Sequence, residues 1–272
     1  MQVIYQEGES LLHRLNPLSK VVAVVPVLLF VALTTDPWLP LAFTALASAV
    51  IVGPARISPG TFWRLQAPLT ISLLVFLILY PFMVRAELFD HTPVVLRLGP
   101  LALYQGAVLA GMAAVLRVYA MFLLSLIFML TTEISDFIRA MVQQWRFPYR
   151  LGYGILAAFH FMPLLQEEFR LIQAAHRIRG IETHGGVRVH IERLRRYLIP
   201  LLTSAIRRAE RTALAMESRA FGALKQRSYF RRFRFSRADY LFILCFWLLC
   251  LLVIALFLLN GWMGPLSFTK EL

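Results

Sequence analysis

Five long apolar runs organise the chain, each bounded by polar or turn-forming residues. The first follows Asn16-Pro17, a good N-cap with proline at the first helical position. It predicts a helix from Asn16 to about Thr35, with Pro26 placed to kink it. Asp36-Pro37 makes a turn, and the run from Trp38 to Gly53 predicts a partner that closes a tight hairpin. Both are near the short end of the roughly 17–25 residues that cross a bilayer. The third run covers Phe62 to Phe82, the fourth Leu101 to Leu130 and the last Tyr240 to Leu259. A polar stretch with Glu87, Asp90, His91 and Pro93 separates the third from the fourth. The pattern predicts an all-α integral membrane protein with about five transmembrane helices.

Between Thr131 and Arg237 the pattern changes. Ile134, Phe137, Ile138, Met141, Val142 and Trp145 fall at the spacing of one helix face, on a helix ended by Pro148. A second helix is predicted from Tyr149 to Gly180, apolar from Leu151 to Leu165, amphipathic from Gln166 to Arg179, and broken or bent at Pro163. Glu182-Thr183-His184-Gly185-Gly186 reads as a flexible break. A third helix is predicted from His190 to Phe221. Its row Ala205, Ala209, Ala213, Met216 and Ala220 consists mostly of small residues and would let two helices cross closely. These are long amphipathic helices lying against the membrane part.

Two of them finish with an arginine close to glycine: Arg177-Ile178-Arg179-Gly180, and Ser218-Arg219-Ala220-Phe221-Gly222. For either end alone, a dipole-favoured arginine and a glycine cap is the simpler account. The pair also suits docking, because the planar fork of a guanidinium makes bidentate pairs with carboxylates in a partner's acidic groove.

Composition agrees with a bilayer home. The chain is 59% hydrophobic and 16% charged, whereas soluble domains carry about 45–50% apolar and about 25% charged residues. The formal net charge is +13, and the apolar runs exclude a nucleic-acid binder as its explanation. Basic residues concentrate in 170–237, which places that region in the cytoplasm and the N-terminus with it. The loop at Asp36 falls outside and carries no basic residue, while Arg85 and Arg97 on the outer side run against the rule. The chain thus divides into transmembrane helices in 1–130, cytoplasmic amphipathic helices in 131–237 and a last transmembrane helix in 238–272.

Catalytic signatures are missing. Lys20, Lys225 and Lys270 are the only lysines and none follows a glycine, so no phosphate-binding loop is present and any ATP is bound by another chain. The histidines are scattered without metal-ligand spacing. Cys245 and Cys250 lie in the last apolar run and read as packing thiols. No catalytic residue, metal site or cofactor is expected. Glu167-Glu168 reads as a solvated face or as ion-pair partners for arginines such as Arg170. Arg117 sits mid-way along the fourth run, where an unpaired charge costs at least about 2.5–3.5 kcal/mol. It should face protein or water, and a structural anchor between that span and the helical cytoplasmic part is favoured over a relay, since no intramembrane acid accompanies it.

The residues quoted so far, with His13-Arg14-Leu15-Asn16-Pro17-Leu18-Ser19-Lys20 at the start, resemble the T components of energy-coupling-factor transporters. Arg117, Leu130-Thr131-Thr132, Phe147-Pro148, and Phe161-Met162-Pro163-Leu164-Leu165 with Glu167 follow in the family's order. Ala174-Ala175-His176-Arg177-Ile178-Arg179-Gly180 resembles the first coupling motif, and Ala213 to Gly222 the second. Ile178 replaces the expected Ala, and Ser218 and Ala220 replace Ala and Gly. The resemblance implies a coupling-helix region in 131–237 whose tips, around Arg179 and Arg219, enter grooves on two ATP-binding subunits. It also implies a substrate-binding membrane S subunit as a further partner, and a vitamin or metal ion as cargo. The rival readings are a conventional ABC permease, which needs a polar pocket among the spans, and a membrane assembly factor or enzyme, which needs a His/Asp/Glu constellation.

Overall fold

The computed structural model describes residues 10–55, 57–83, 93–98, 101–179, 187–223 and 229–260. In chain order the elements are α1 (Leu11–Arg14), α2 (Pro17–Ala32), α3 (Trp38–Val52), α4 (Pro59–Met83), β1 (Val94–Leu98), β2 (Leu101–Tyr104), α5 (Gln105–Thr131), α6 (Ile134–Gln144), α7 (Tyr149–Ile178), α8 (Val187–Ser218) and α9 (Arg237–Leu259). Among the described residues the fold is helical apart from one short antiparallel hairpin. Among the same residues three helices are long and apolar enough to cross a membrane: Pro59–Tyr80 within α4, α5 and α9. The apolar α2 and α3 are shorter, at 16 and 15 residues, or about 24 and 22 Å at 1.5 Å per residue.

The fourth span was expected from Leu101, and this needs correction. Leu101–Tyr104 is β2, paired with β1 through Leu98↔Leu101 and Arg97↔Ala102, and the helix begins only at Gln105. The amide of Gln105 donates to the carbonyl of Pro93 at 3.0 Å, which closes the hairpin against the helix start.

Contacts divide the chain into two units, residues 1–140 with 234–272, and residues 141–233. In the first unit α5 is central and lies against α2, α3 and α4, while α9 packs on α2 and α3. Ala120, Leu123, Leu124, Ile127, Leu130 and Thr131 form its buried stripe at helical spacing, whereas Val118, Ser125 and Met129 on the other side are exposed. The stripe meets Val24, Val27 and Val31 of α2, Phe43, Ala47 and Ile51 of α3, and Phe246 and Cys250 of α9 in one core. Gly111 permits the approach of α4, because a Cβ there would lie 2.8 Å from the Tyr80 ring. Deeper along the same contact, Tyr119 donates its hydroxyl proton to Gln66 Oε1 at 2.7 Å. The outer faces of α4 and α9 expose Ile71, Val75, Ile78, Leu244, Leu248 and Leu252, a surface suited to lipid and not to water.

Pro26 stays inside α2, where it removes one backbone donor. Trp247 of α9 reaches this weakened turn, donating its Nε1 proton to the carbonyl of Ala23 at 3.2 Å. An apolar groove of about 270 Å³ lies alongside, lined by Pro26, Phe30, Phe43, Cys250 and Ile254 among others.

In the second unit α7 and α8 form an antiparallel pair. His176 and Phe169 of α7 both meet Tyr197 of α8 edge to face, Glu168 pairs with Arg208 at 3.8 Å, and Tyr149 and Tyr153 meet Phe221 beyond the end of α8. The sequence put a break or bend at Pro163 and read the neighbouring carboxylates as a solvated face or as ion-pair partners for arginines such as Arg170. No break occurs: α7 continues through Pro163, α8 continues through Pro200, and the arginine that Glu168 meets lies on α8. Contacts flank Pro163 on both sides, to Tyr197 and Arg208 of α8 after it and to Phe221 beyond the end of α8 before it. The third amphipathic helix, expected at His190 to Phe221, runs from Val187 to Ser218. The predicted loop 182–186 lies outside the described residues.

Candidate functional site

The two arginine tips are built differently. Arg179 is the exposed C-cap of α7, its amide still donating to the Ala175 carbonyl at 3.2 Å. Arg177, two residues earlier, is also exposed. Gly180 lies outside the described residues.

The end of α8 is a Schellman motif. The amide of Phe221 donates to the Met216 carbonyl at 3.0 Å and that of Ala220 to the Glu217 carbonyl at 2.8 Å. Arg219 is therefore the C-cap, and Ala220 takes the left-handed position with φ 55°. Glycine is the usual residue there, since an L side chain costs roughly 1–2 kcal/mol in that region. The motif turns the chain so that Phe221 sits on Tyr149 and Tyr153 with ring centroids 5.8 and 5.9 Å away. Arg150 then donates from Nη2 to the Gly222 carbonyl at 3.2 Å. Gly222 has φ 92°, a second position that favours glycine. Arg219 and Ser218 stay exposed, and the Ser218 hydroxyl turns back to the Ala215 carbonyl at 3.0 Å.

Because α7 and α8 are antiparallel, Arg179 and Arg219 stand at opposite ends of one pair. A helix of 32 residues, such as α8, is about 48 Å long. The sequence placed an arginine on each helix end, and only the pairing shows that the ends point away from each other. Along the pair Leu171, Leu194, Leu198, Leu202 and Leu214 are exposed, as are Ala209 and Ala213 of the small-residue row.

Arg117 is half-buried mid-way along α5, and its Nε is buried without a hydrogen-bond partner among the described residues. Among those residues no group of three or more His, Cys, Asp or Glu side chains could hold a metal ion. The groove beside Pro26 is lined by apolar side chains with Cys250 among them, and a single thiol does not make a cation site.

Sequence reasoning missed a second polar centre. Lys20, Ser19 and Asp239 are 1%, 0% and 2% exposed. Lys20 donates from Nζ to the Thr131 carbonyl at 2.7 Å and to Thr132 Oγ1 at 3.2 Å, capping the last turn of α5 with a positive charge. Asp239 Oδ1 accepts from the Asn16 amide at 2.7 Å and from Ser19 Oγ at 3.1 Å. Its Oδ2 accepts from the Ser236 amide and hydroxyl at 2.7 and 2.9 Å. The segment Asn16–Lys20 thereby grips the C-terminal end of α5 and the N-terminal end of α9. The chain leaves the first unit after the former and re-enters just before the latter. The signal lay in Ser236-x-x-Asp239, a capping-box spacing, and in a lysine one turn into an apolar helix.

The family model of the CbiQ cobalt transport proteins matches residues 8–230. The chain belongs to this family. Among curated relatives it is 26% identical over 243 residues to the energy-coupling factor transporter transmembrane protein EcfT of Bacillus subtilis, covering 86% of this chain and 89% of that one. It is 29% identical to the EcfT of Thermosediminibacter oceani, over 86% and 89% of the two chains. With the EcfT of Bacillus selenitireducens identity is 26% over 92% and 94%. The match to the family model includes the Asn16–Lys20 segment and both arginine tips.

Proposed function

We propose that this chain is the transmembrane coupling component of an energy-coupling-factor importer for a vitamin or metal ion, and that Arg179 and Arg219 are its contacts with two ATP-binding subunits. The observation that carries the reading is the placing of two exposed arginine tips at the two ends of one antiparallel helix pair. A pair about 45–48 Å long can touch two nucleotide-binding subunits at once, one at each tip. A push on either tip is then felt along the whole pair. Arg177, Gly180, Ser218 and Ala220 flank the contacts and let partner backbone come close.

The exposed apolar row of α7 and α8 is suited to a membrane-embedded S subunit, which would hold the cargo. ATP hydrolysis belongs to the ATP-binding subunits, and this chain does no covalent chemistry. The Asn16–Lys20 grip fixes the membrane roots of the coupling region, so that motion passes through it and is not lost at its base. Arg117 has a structural role within the membrane, turned away from lipid. The protein is a multi-pass protein of the cell membrane, with the N-terminus and the 141–233 unit on the cytoplasmic side.

The test is purification of the tagged chain from its native membrane in mild detergent, with the associated chains identified and counted. Two ATP-binding subunits and one small membrane subunit are expected. Recovery of the chain with no ATP-binding subunit, at full yield and folded, contradicts the assignment.

A further inference from the structure

The run Tyr229-Phe230-Arg231-Arg232-Phe233-Arg234-Phe235-Ser236-Arg237 alternates aromatic and basic residues, and no Asp or Glu occurs between Arg219 and Ala238. It leads straight into α9. That helix is started by a reciprocal capping box between Ser236 and Asp239, so its first turn is fixed. Its 23 residues span about 35 Å, more than the roughly 30 Å hydrocarbon core. Arg237 therefore emerges at headgroup level, and Phe230, six residues before the Ser236 cap, reaches at most about 20 Å from it.

The run is held in place. Gln143, near the end of α6, donates from Nε2 to the Arg231 carbonyl at 3.0 Å and accepts from the Phe233 amide at 2.9 Å. One side-chain amide thus pairs with a carbonyl and an amide on one edge of the segment, as a neighbouring strand would. Arg231 lies 5.2 Å over the Phe233 ring. Phe230 is fully exposed, and Arg231, Arg232, Arg234 and Arg237 are exposed. No ion pair among the described residues engages Arg232, Arg234 or Arg237. An exposed phenylalanine and exposed arginines within a few residues of the start of a span match a lipid interface, where aromatic rings and basic groups share the headgroup layer.

We infer that Tyr229–Arg237, presented by Gln143, binds the anionic headgroups of membrane phospholipids. The guanidinium groups take the phosphates, for which their planar fork is suited, and Phe230 enters the acyl boundary. The inference rests on α9 being a membrane span, and not on the identity of the transporter.

The experiment measures lipids retained by the full chain, purified from nanodiscs of phosphatidylcholine with or without phosphatidylglycerol, by native mass spectrometry. Phosphatidylglycerol should be retained in preference, and less so at high salt. In the variant Arg231→Gln/Arg232→Gln/Arg234→Gln, retention should fall on the order of fivefold for each arginine removed. Gln143→Ala keeps the charge and should lower retention by a smaller factor. The charge-matched control Arg195→Gln/Arg196→Gln/Arg211→Gln should retain phosphatidylglycerol as the parent does. Equal retention in the first variant, an equal loss in the control, or no preference for phosphatidylglycerol would overturn the inference. So would loss of the ATP-binding subunits from the first variant with lipid retention intact, which assigns the run to protein docking. Unchanged retention in Gln143→Ala contradicts the presenting role of that amide.

Discussion

Lys20 and Thr131 are 111 residues apart in sequence, yet the buried Lys20 ammonium donates to the Thr131 carbonyl at 2.7 Å and closes the end of α5. A charged donor at a helix C-terminus replaces the water that its orphan carbonyls would otherwise need. Hydrogen bonds to charged groups contribute about 1.5–3 kcal/mol. Lys20→Met should therefore lower thermal stability in detergent by an amount in that range. Asp239→Ala should cost more, because it strands the buried amide of Asn16 and removes the capping box that starts α9. Melting curves of both variants check this, and unchanged midpoints would mean that the grip contributes nothing to the fold.

Ala220 occupies the left-handed position of a Schellman motif at φ 55°. Ala220→Gly should stabilise the end of α8 by about 1 kcal/mol, and Ala220→Val should destabilise it by more. Hydrogen exchange at the Phe221 amide, which closes the motif, reads the effect directly. Faster exchange in the glycine variant would show that the strain is not there.

Gly111 brings α5 against Tyr80 of α4, leaving 2.8 Å for an added Cβ. Gly111→Ala should destabilise by about 1–3 kcal/mol through overpacking. Tyr80→Ala in the same chain should remove most of that penalty. A double-mutant cycle with no coupling between the two positions would exclude the close approach.

Arg211 is exposed on α8 and belongs to the side assigned to the cytoplasm. In a background lacking Cys245 and Cys250, Arg211→Cys should resist an impermeant thiol reagent in intact cells and react after lysis. Strong labelling from outside would invert the proposed orientation.

Much of this architecture is legible in the sequence, for reasons that differ by element. The spacing of Ile134, Phe137, Ile138 and Met141 gives α6 because a helix face repeats locally. The long apolar runs give α4, α5 and α9 because a bilayer imposes length. The start of α5 was misplaced because Leu101–Tyr104 is apolar enough to read as helix, and only its pairing with Val94–Leu98 makes it a strand. Pro163 reads as a break or a bend, and the helix runs on through it, with contacts to Phe221 before the proline and to α8 after it. Lys20 and Asp239 look like charges that mark the edges of spans. Their burial follows from contacts more than 100 residues apart, which no periodic signal carries. Arg179 and Arg219 were found as helix-end residues, while their opposed placement required the antiparallel pairing.

The central claim is that these two tips carry force between the ATP-binding subunits and the membrane. Removing one partner of a desolvated, hydrogen-bonded charge pair costs about 2–5 kcal/mol of binding, whereas the loss of a C-terminal dipole contact costs the fold only about 0.3–1 kcal/mol. The direct measurement is binding of the ATP-binding subunits, alongside substrate uptake, for Arg179→Ala, Arg219→Ala and the double variant in the assembled transporter. Each single variant should fold normally, bind its partner at least about thirtyfold more weakly and lose most uptake, with the double variant worse and lysine a poor substitute at either position. Normally folded variants that keep parental binding and parental uptake would contradict the coupling role of both tips.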